Sequence, residues 1–190
     1  MATDPEILES STAYEGKIFD VVVDRLRMPD GSESAYETVK HRGAVAVVPL
    51  ASDGRILMVR QRRHAVGDHL LEIPAGKLEP DEDPRTCARR ELEEETGFAC
   101  AHLDLLVTYY STPGFSNERV YVFVGHDLEQ VAEPPTTDGA EAISMEWLDR
   151  QEAVTALLDG RVVDGKSIIG IALARLAEKD AEEAEVVGER

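Results

Sequence analysis

Four glutamates fall within five consecutive positions of this chain, at Glu91, Glu93, Glu94 and Glu95. Side chains three and four positions apart share one face of a helix, so Glu91, Glu94 and Glu95 are predicted to project together. Like charges at this spacing repel one another, and a bound divalent cation removes that repulsion. Carboxylate oxygens suit Mg²⁺, with Mn²⁺ as a possible substitute, better than they suit zinc. The residues therefore predict a magnesium site, and such a site is suited to hydrolysing a pyrophosphate bond.

The helix that must carry these glutamates has recognisable ends. Asp83 is predicted to cap its first turn, and Pro84 suits the first helical position. Gly97 suits the left-handed position that ends many helices. The alternative for such a charge run is an acidic face that contacts only water. The full spacing between Gly76 and Gly97 favours the metal site instead.

Two neighbouring side chains are predicted to support the metal ligands. Arg90 lies four positions before Glu94, so it can hold that carboxylate in place. Glu82 lies just before the positive end of the helix and is predicted to fold back toward the same site. We therefore assign Arg90 and Glu94 to the catalytic set and Glu82 to the metal site.

The composition bounds the class of protein. The chain has 190 residues and is 43% hydrophobic, enough for one domain with its own core. Its formal net charge of −18 argues against a nucleic acid partner, which requires a basic surface. No apolar run reaches the roughly 18 residues of a membrane span, and the acidic start of the chain is unlike a secretory signal. Cys87 and Cys100 predict free thiols in a reducing cytoplasm, with a disulfide as the alternative.

Strands and helices that mix without strict alternation predict an α+β fold. We expect an N-terminal hairpin extension over residues 1–42, a main domain over 43–178 and an acidic, frayed tail over 179–190. The hydrophobic patterns predict strands over residues 17–28, 34–41, 43–50, 55–61, 70–75, 103–111, 120–125 and 142–148, and helices over 84–96, 150–159 and 166–178.

The motif around the glutamates resembles a known family. Gly76 is followed by five residues and Glu82, and then by seven residues and the sequence Arg-Glu-Leu-Glu-Glu-Glu-Thr-Gly-Phe, from Arg90 to Phe98. This spacing resembles the Nudix box at every fixed position. The chain is therefore identified as resembling a Nudix hydrolase.

A wider set of segments resembles one branch of that family, the ADP-ribose pyrophosphatases. Pro113 lies 16 residues after Gly97, as the branch's proline does after the last glycine of the box. The other matching segments are residues 59–67, 71–79, 111–118 and 160–170. The resemblance covers residues 14–176 and implies that the protein cuts ADP-ribose into AMP and ribose 5-phosphate.

The resemblance also implies a fold and a set of metal ligands. The family fold is a mixed β-sheet sandwiched between α-helices, and its members in this branch are usually homodimers. The positions that match the family's metal ligands are Glu91, Glu95 and the backbone carbonyl of Ala75. Glu82 and Glu94 match supporting acidic positions.

The general base of this branch comes from a loop before a late strand. That loop corresponds here to residues 133–147, and Glu141 is the candidate because it lies where the loop meets the strand. An ordinary acidic loop residue is the alternative. Asp138 and Glu118 are rival bases.

Several residues are candidates for binding the nucleotide. Arg62 and Arg63 are expected to bind the phosphates or the terminal ribose, because arginine makes bidentate phosphate contacts. Tyr36 can stack on adenine or be buried in the sheet. Gly114 and Phe115 can line the pocket, although Phe115 can also pack under its loop. Glu118 can approach a metal or a ribose, or serve only the surface.

Three other functions remain open on the sequence alone. The same chemistry can act on GDP-mannose or on a dinucleotide polyphosphate. A Nudix module that senses nucleotide without cleaving it is a second possibility, which the complete carboxylate set opposes. An acidic interaction protein is a third, but it leaves the two glycines of the box without a purpose.

Overall fold

The computed structural model describes residues 4–131, 133 and 143–188. The backbone forms two compact units. The first contains Met1–Gly43 and Tyr109–Arg119, and the second contains Ala44–Thr108 and Val120–Arg190. Among the described residues, no helix combines the length and the apolar character that crossing a bilayer requires.

The first unit contains an antiparallel sheet of three strands, β1 (Glu6–Glu15), β2 (Phe19–Arg27) and β3 (Glu33–His41). β2 lies in the middle and pairs with both neighbours. The predicted hairpin corresponds to β2 and β3, whereas β1 was not predicted. Nearly all of the side chains of β1 are exposed, so its sequence carries no apolar alternation. It is a strand because its backbone pairs with that of β2.

A loop in residues 109–119 is tied to β3 within this first unit. The amide of Val39 donates to the carbonyl of Phe115 at 2.8 Å, and the amide of Asn117 donates to the carbonyl of Val39 at 3.2 Å. The side-chain oxygen of Asn117 accepts from the amide of His41 at 2.8 Å. These three bonds hold the loop along the end of the strand.

The second unit contains two sheets and three helices. The four-stranded sheet has the order β7 (Ala75–Lys77), β4 (Ala44–Pro49), β9 (Arg119–Gln130), β8 (Phe98–Tyr110). It is mixed, because β4 runs parallel to β9 and antiparallel to β7. The other sheet has the order β10 (Ser144–Leu148), β5 (Ile56–Arg63), β6 (Asp68–Glu72). The helices are α1 (Pro84–Thr96), α2 (Arg150–Leu158) and α3 (Gly165–Gly188).

Helices cover both faces of β4, as the sandwich prediction requires. On one face, Val45 and Val47 belong to the core cluster that includes Leu92 of α1. On the other face, the backbone of Gly170 in α3 approaches so closely that an added Cβ would lie 3.0 Å from Val48. Alternate residues of a strand point to opposite faces, so one strand serves both helices. The predicted α+β sandwich is confirmed.

Several element boundaries differ from the prediction. β8 begins at Phe98 rather than at residue 103, and β9 continues to Gln130 rather than ending at residue 125. The single strand predicted over residues 70–75 is two strands, β6 and β7, which belong to different sheets. The proline between them, Pro74, has no amide hydrogen to donate to a sheet. The last helix continues to Gly188, into the segment for which the sequence predicts a frayed tail.

Candidate metal and catalytic site

Helix α1 is fixed at both ends by the residues predicted to do so. The Asp83 carboxylate accepts from the amides of Arg85 at 3.0 Å and Thr86 at 3.2 Å. Pro84 is the first helical residue. Gly97 has φ 70°, in the left-handed region, and its amide donates to the carbonyl of Glu93 at 2.8 Å. Both caps are confirmed, and they fix the residues at which the helix begins and ends.

The carboxylate of Glu91 lies against the backbone of Gly76. A Cβ added at Gly76 would lie 1.9 Å from Cδ of Glu91. Any side chain larger than hydrogen would therefore displace that carboxylate. Gly76 belongs to β7 and pairs with Val45 of β4, so the sheet fixes the surface on which Glu91 rests. The first glycine of the motif thus has a steric purpose.

Arg90 gathers three carboxylates around its guanidinium group. It donates to both oxygens of Glu82 at 3.0 Å, to Glu91 at 2.8 Å and to Glu94 at 3.0 Å. The predicted pairing of Arg90 with Glu94 is observed, and Glu82 folds back as expected. The hydrogen bond from Arg90 holds the pKa of Glu82 at about 2. Since Arg90 engages both oxygens of Glu82, this acid is placed to orient Arg90, and its role as a metal ligand stays a prediction.

Glu95 is an acid of the site whose pKa burial raises strongly. Its carboxylate accepts from the amide of Ala75 at 3.0 Å and lies 3.5 Å from the amide nitrogen of Gln61. Burial raises the pKa of Glu95 to about 7 and also raises the pKa of Glu91. The charge of Glu91 disfavours ionisation of Glu95, and the charges of Glu94 and Glu82 disfavour ionisation of Glu91. A divalent cation favours the ionised forms of both, so this pair of oxygen donors fits such an ion.

The number of side-chain ligands is small. Among the described histidines, cysteines, aspartates and glutamates, no group of three is gathered as a metal-binding set. Only two carboxylates, Glu91 and Glu95, match the family's ligand positions, because the third ligand there is the backbone carbonyl of Ala75. Glu82 is the further acid that the sequence analysis assigns to the metal site. Mg²⁺ commonly keeps several waters and is held by one or two carboxylates together with substrate phosphates. The residues therefore fit a magnesium ion that shares its coordination with a phosphorylated substrate.

A buried ion cluster beside this site was not predicted. Glu72 is only 1% exposed, and Arg63 donates to its two oxygens at 2.8 and 2.6 Å. Lys166 approaches the same carboxylate at 2.5 Å. Arg63, predicted to bind phosphate, is thus paired with an acid of its own chain. The sequence does contain a signal for this cluster. Glu72 lies between Leu71 and Ile73 in a buried strand, and a buried carboxylate requires a cation beside it.

The remaining substrate-binding candidates lie in different parts of the chain. In the second unit, Arg62 is exposed on β5. In the first unit, Tyr36 is 48% exposed, so the alternative that it is buried in the sheet is wrong. Phe115 is 60% exposed, and an added Cβ at Gly114 would meet no atom within 4 Å.

Glu118 is held within the first unit. Its carboxylate accepts from the hydroxyl of Ser111 at 2.6 Å and lies 3.4 Å from Nδ1 of His41. These contacts order the loop and commit the acid to it. Glu141, the candidate general base, and its rival Asp138 lie outside the described residues, so the identity of the base stays a prediction.

Comparison with known proteins assigns the chain to a family. The family model for the NUDIX domain matches residues 40–169, which include every candidate site residue named above except Tyr36. The chain belongs to the Nudix family. The predicted resemblance is thereby confirmed, and Nudix pyrophosphatases of this kind generally depend on divalent metals.

This Nudix protein is similar to two relatives and to one solved structure over most of its length. It is 34% identical over 175 residues to the methanol dehydrogenase activator of Bacillus methanolicus, covering 92% of this chain and 95% of the relative. It is 37% identical over 165 residues to the ADP-ribose pyrophosphatase of Bacillus subtilis, covering 87% and 89%. A crystal structure of an ADP compounds hydrolase superposes with a TM-score of 0.83 at 22% identity, covering 95% of this chain and 97% of the other. That superposition shows the Nudix fold.

Replacing Gly76 with Ala tests the contact between Gly76 and Glu91. The new methyl group meets the flexible end of a side chain, so the fold should survive with a free energy of unfolding within about 1 kcal/mol of the parent. Glu91 must move, and calorimetry should show Mg²⁺ or Mn²⁺ binding weakened by about tenfold. Gly165→Ala is the matched control, because an added Cβ there meets no atom within 4 Å. Equal metal affinity in both variants would contradict the steric role.

Proposed function

We propose that this Nudix protein hydrolyses the pyrophosphate bond of ADP-ribose and releases AMP and ribose 5-phosphate. The observation that carries the proposal is the Glu91 carboxylate resting on Gly76, with Glu95 beside it and Arg90 fixing its position. The ADP-ribose pyrophosphatase of Bacillus subtilis, 37% identical over most of the chain, supports the choice of substrate.

Glu91, Glu95 and the carbonyl of Ala75 would hold Mg²⁺, with Mn²⁺ as a substitute. When bound, the ion supplies neutralisation of adjacent phosphoryl oxygens and a bound water of lowered pKa. Arg90 keeps Glu91 directed at the site, and Glu82 fixes Arg90 in turn. The exposed side chain of Glu94 also accepts a hydrogen bond from Arg90, so it is the third acid that orients this arginine.

The proposed reaction needs a base for the attacking water. Glu141 takes the proton while the water oxygen forms a bond to one phosphorus atom. The bond from that phosphorus to the bridging oxygen breaks, and the bridging oxygen leaves with the other phosphate. A second carboxylate away from the metal suits this task, because Glu91 and Glu95 are committed to the ion.

Recognition of the two halves of the substrate is assigned by charge and exposure. Arg62 offers an exposed guanidinium group for phosphate or ribose, and Arg63 offers one that Glu72 already orients. The exposed ring of Tyr36 suits stacking on a nucleobase. Gly114, Phe115 and Glu118 are the further candidates for contact with the substrate.

Hydrolysis of ADP-ribose with Mg²⁺ in ¹⁸O-labelled water tests the function. We expect AMP and ribose 5-phosphate, with the label in one product only, because one phosphorus is attacked. A substrate panel with GDP-mannose and a dinucleotide polyphosphate should give lower kcat/KM values.

The matched control for this assay is Glu95→Gln. The glutamine can still accept a hydrogen bond from the amide of Ala75, but it has no negative charge with which to bind the cation. Turnover should therefore be almost lost while the fold is kept. Tight binding of ADP-ribose by the wild-type protein without cleavage would contradict the proposal and favour a sensing module.

We also propose that the protein forms a homodimer in which residues 1–42 make the interface. The Nudix domain covers residues 43–178. The protein works in the reducing cytoplasm. Exposed apolar side chains on the sheet of the first unit, among them Ile7, Tyr14 and Phe19, support the dimer. Free thiols at both cysteines support the compartment. The net charge of −18 opposes a nucleic acid partner.

Light scattering tests the dimer. Twice the chain mass of 20.9 kDa is expected at micromolar concentration. A single chain mass under those conditions would contradict it.

A further inference from the structure

Glu72 occupies only one edge of the Arg63 guanidinium group. Its carboxylate accepts from Nε at 2.8 Å and from Nη2 at 2.6 Å. A guanidinium group carries five N–H donors in a planar fork, so two donors on Nη1 and one on Nη2 remain. No described residue accepts a hydrogen bond from Nη1, and the side chain is 36% exposed. The outer edge of Arg63, formed by Nη1 and Nη2, is therefore open to a ligand.

The pairing register of β5 and β6 shows where this guanidinium group lies. Arg63 is paired with Asp68, whereas Glu72 is paired with Val59, four residues earlier on β5. The Arg63 side chain must therefore run back along β5, past Gln61, to reach Glu72. Residues two positions apart on a strand share a face and are separated by about 7 Å. Arg63 and Gln61 thus lie on one face of β5, with the guanidinium group drawn toward Gln61.

Gln61 connects this face of β5 to a predicted metal ligand. Its side chain is buried, and its amide nitrogen lies 3.5 Å from the carboxylate of Glu95. Glu95 also accepts from the amide of Ala75, which follows Glu72 by three residues. Glu72 therefore holds Arg63 on the face of β5 that contacts Glu95, rather than at the end of the strand.

Lys166 gives Glu72 a second cation. Its ammonium nitrogen lies 2.5 Å from Glu72 and 2.9 Å from Asp164. The buried carboxylate of Glu72 thus keeps a partner when Arg63 is replaced, and Lys166 keeps Asp164 when Glu72 is replaced. A buried charge without a partner is strongly destabilising, and neither replacement creates one. Both residues can therefore be varied in a protein that still folds.

We propose that Glu72 is a positioning residue that turns the outer edge of Arg63 toward one phosphate of the substrate. This inference rests on the proposed function and adds to it a residue that does not touch the reacting atoms. Two parallel N–H groups match two oxygens of a phosphate, which is the ligand that the outer edge fits. Without Glu72, the long side chain of Arg63 is free to rotate and must be ordered again when the substrate binds.

The variant Glu72→Gln removes the charged contact and keeps the size of the side chain. At saturating Mg²⁺, KM for ADP-ribose should rise by about threefold to tenfold, which is the penalty for ordering one free arginine side chain. The phosphate is bound in the substrate complex and in the transition state alike, so kcat should stay within about twofold. An effect of charge alone has the opposite sign, because loss of a carboxylate favours an anionic substrate.

The control for net charge is Asp53→Asn. Asp53 forms an exposed ion pair with Arg55 at 2.8 Å, so this variant also removes one carboxylate from an arginine. It should keep the KM and kcat of the parent. A purely structural role of Glu72 would lower kcat together with the melting temperature, which Glu72→Gln is not expected to do.

Variants of Arg63 test whether Glu72 acts through this arginine. Arg63→Gln should raise KM by about tenfold to a hundredfold, because the phosphate loses a charged bidentate contact. When Glu72→Gln is added to Arg63→Gln, KM should not rise further, because Glu72 then has no arginine to position. Arg63→Lys keeps the charge but has no planar outer edge, so its KM should approach that of Arg63→Gln.

The outcomes separate this inference from the proposed function. A wild-type protein that does not cleave ADP-ribose overturns the proposed function, and the role of Glu72 with it. If the wild-type protein cleaves ADP-ribose, an unchanged or lower KM in Glu72→Gln overturns the role of Glu72 alone. A further rise of KM in the double variant does the same. If Glu72→Gln fails to fold, Arg63→Lys decides, and a KM equal to that of the parent overturns the role.

Discussion

The contact between the carboxylate of Glu91 and the backbone of Gly76 is the constraint on which the site depends. It requires a residue without a side chain on β7 and a glutamate at one position of α1. Pairing of β7 with β4 fixes the first, and the caps of α1 fix the second. Core packing of α1 against β4 then holds the two surfaces together. The close approach of Glu91 to Gly76 thus positions a predicted metal ligand of the helix against the sheet.

Three cationic side chains balance the negative charge of the acids in and beside the site. In a chain with a net charge of −18, Arg90 serves three acids on the surface side, while Arg63 and Lys166 serve Glu72 in the interior. Among the described residues, the Glu95 carboxylate accepts hydrogen bonds from the amides of Ala75 and Gln61, and burial raises its pKa to about 7. The acid with the poorest compensation is therefore the one that gains most from a bound divalent cation.

Features that depend on neighbours in the chain were predicted, and features that depend on distant pairing were missed. Asp83, Gly97 and the pairing of Arg90 with Glu94 follow from spacing within one helix, so the sequence shows them directly. The contact of Lys166 with Glu72 joins residues 94 positions apart. The sequence around Glu72 indicates that a cation is needed, but no local pattern identifies Lys166 as that cation. Strand β1 was missed for a related reason, because an exposed strand at a sheet edge carries no apolar alternation.

Calorimetric titration of the wild-type, substrate-free protein with Mg²⁺ measures directly whether Glu91 and Glu95 bind a cation. Near pH 7, in buffers of different ionisation enthalpy, we expect uptake of Mg²⁺ with release of part of a proton. The reason is that Glu95, with a pKa of about 7, must lose its proton to bind the ion. The release should shrink above about pH 8, where Glu95 is already ionised in the folded protein. Absence of Mg²⁺ and Mn²⁺ uptake across this range would show that Glu91 and Glu95 do not form a cation site.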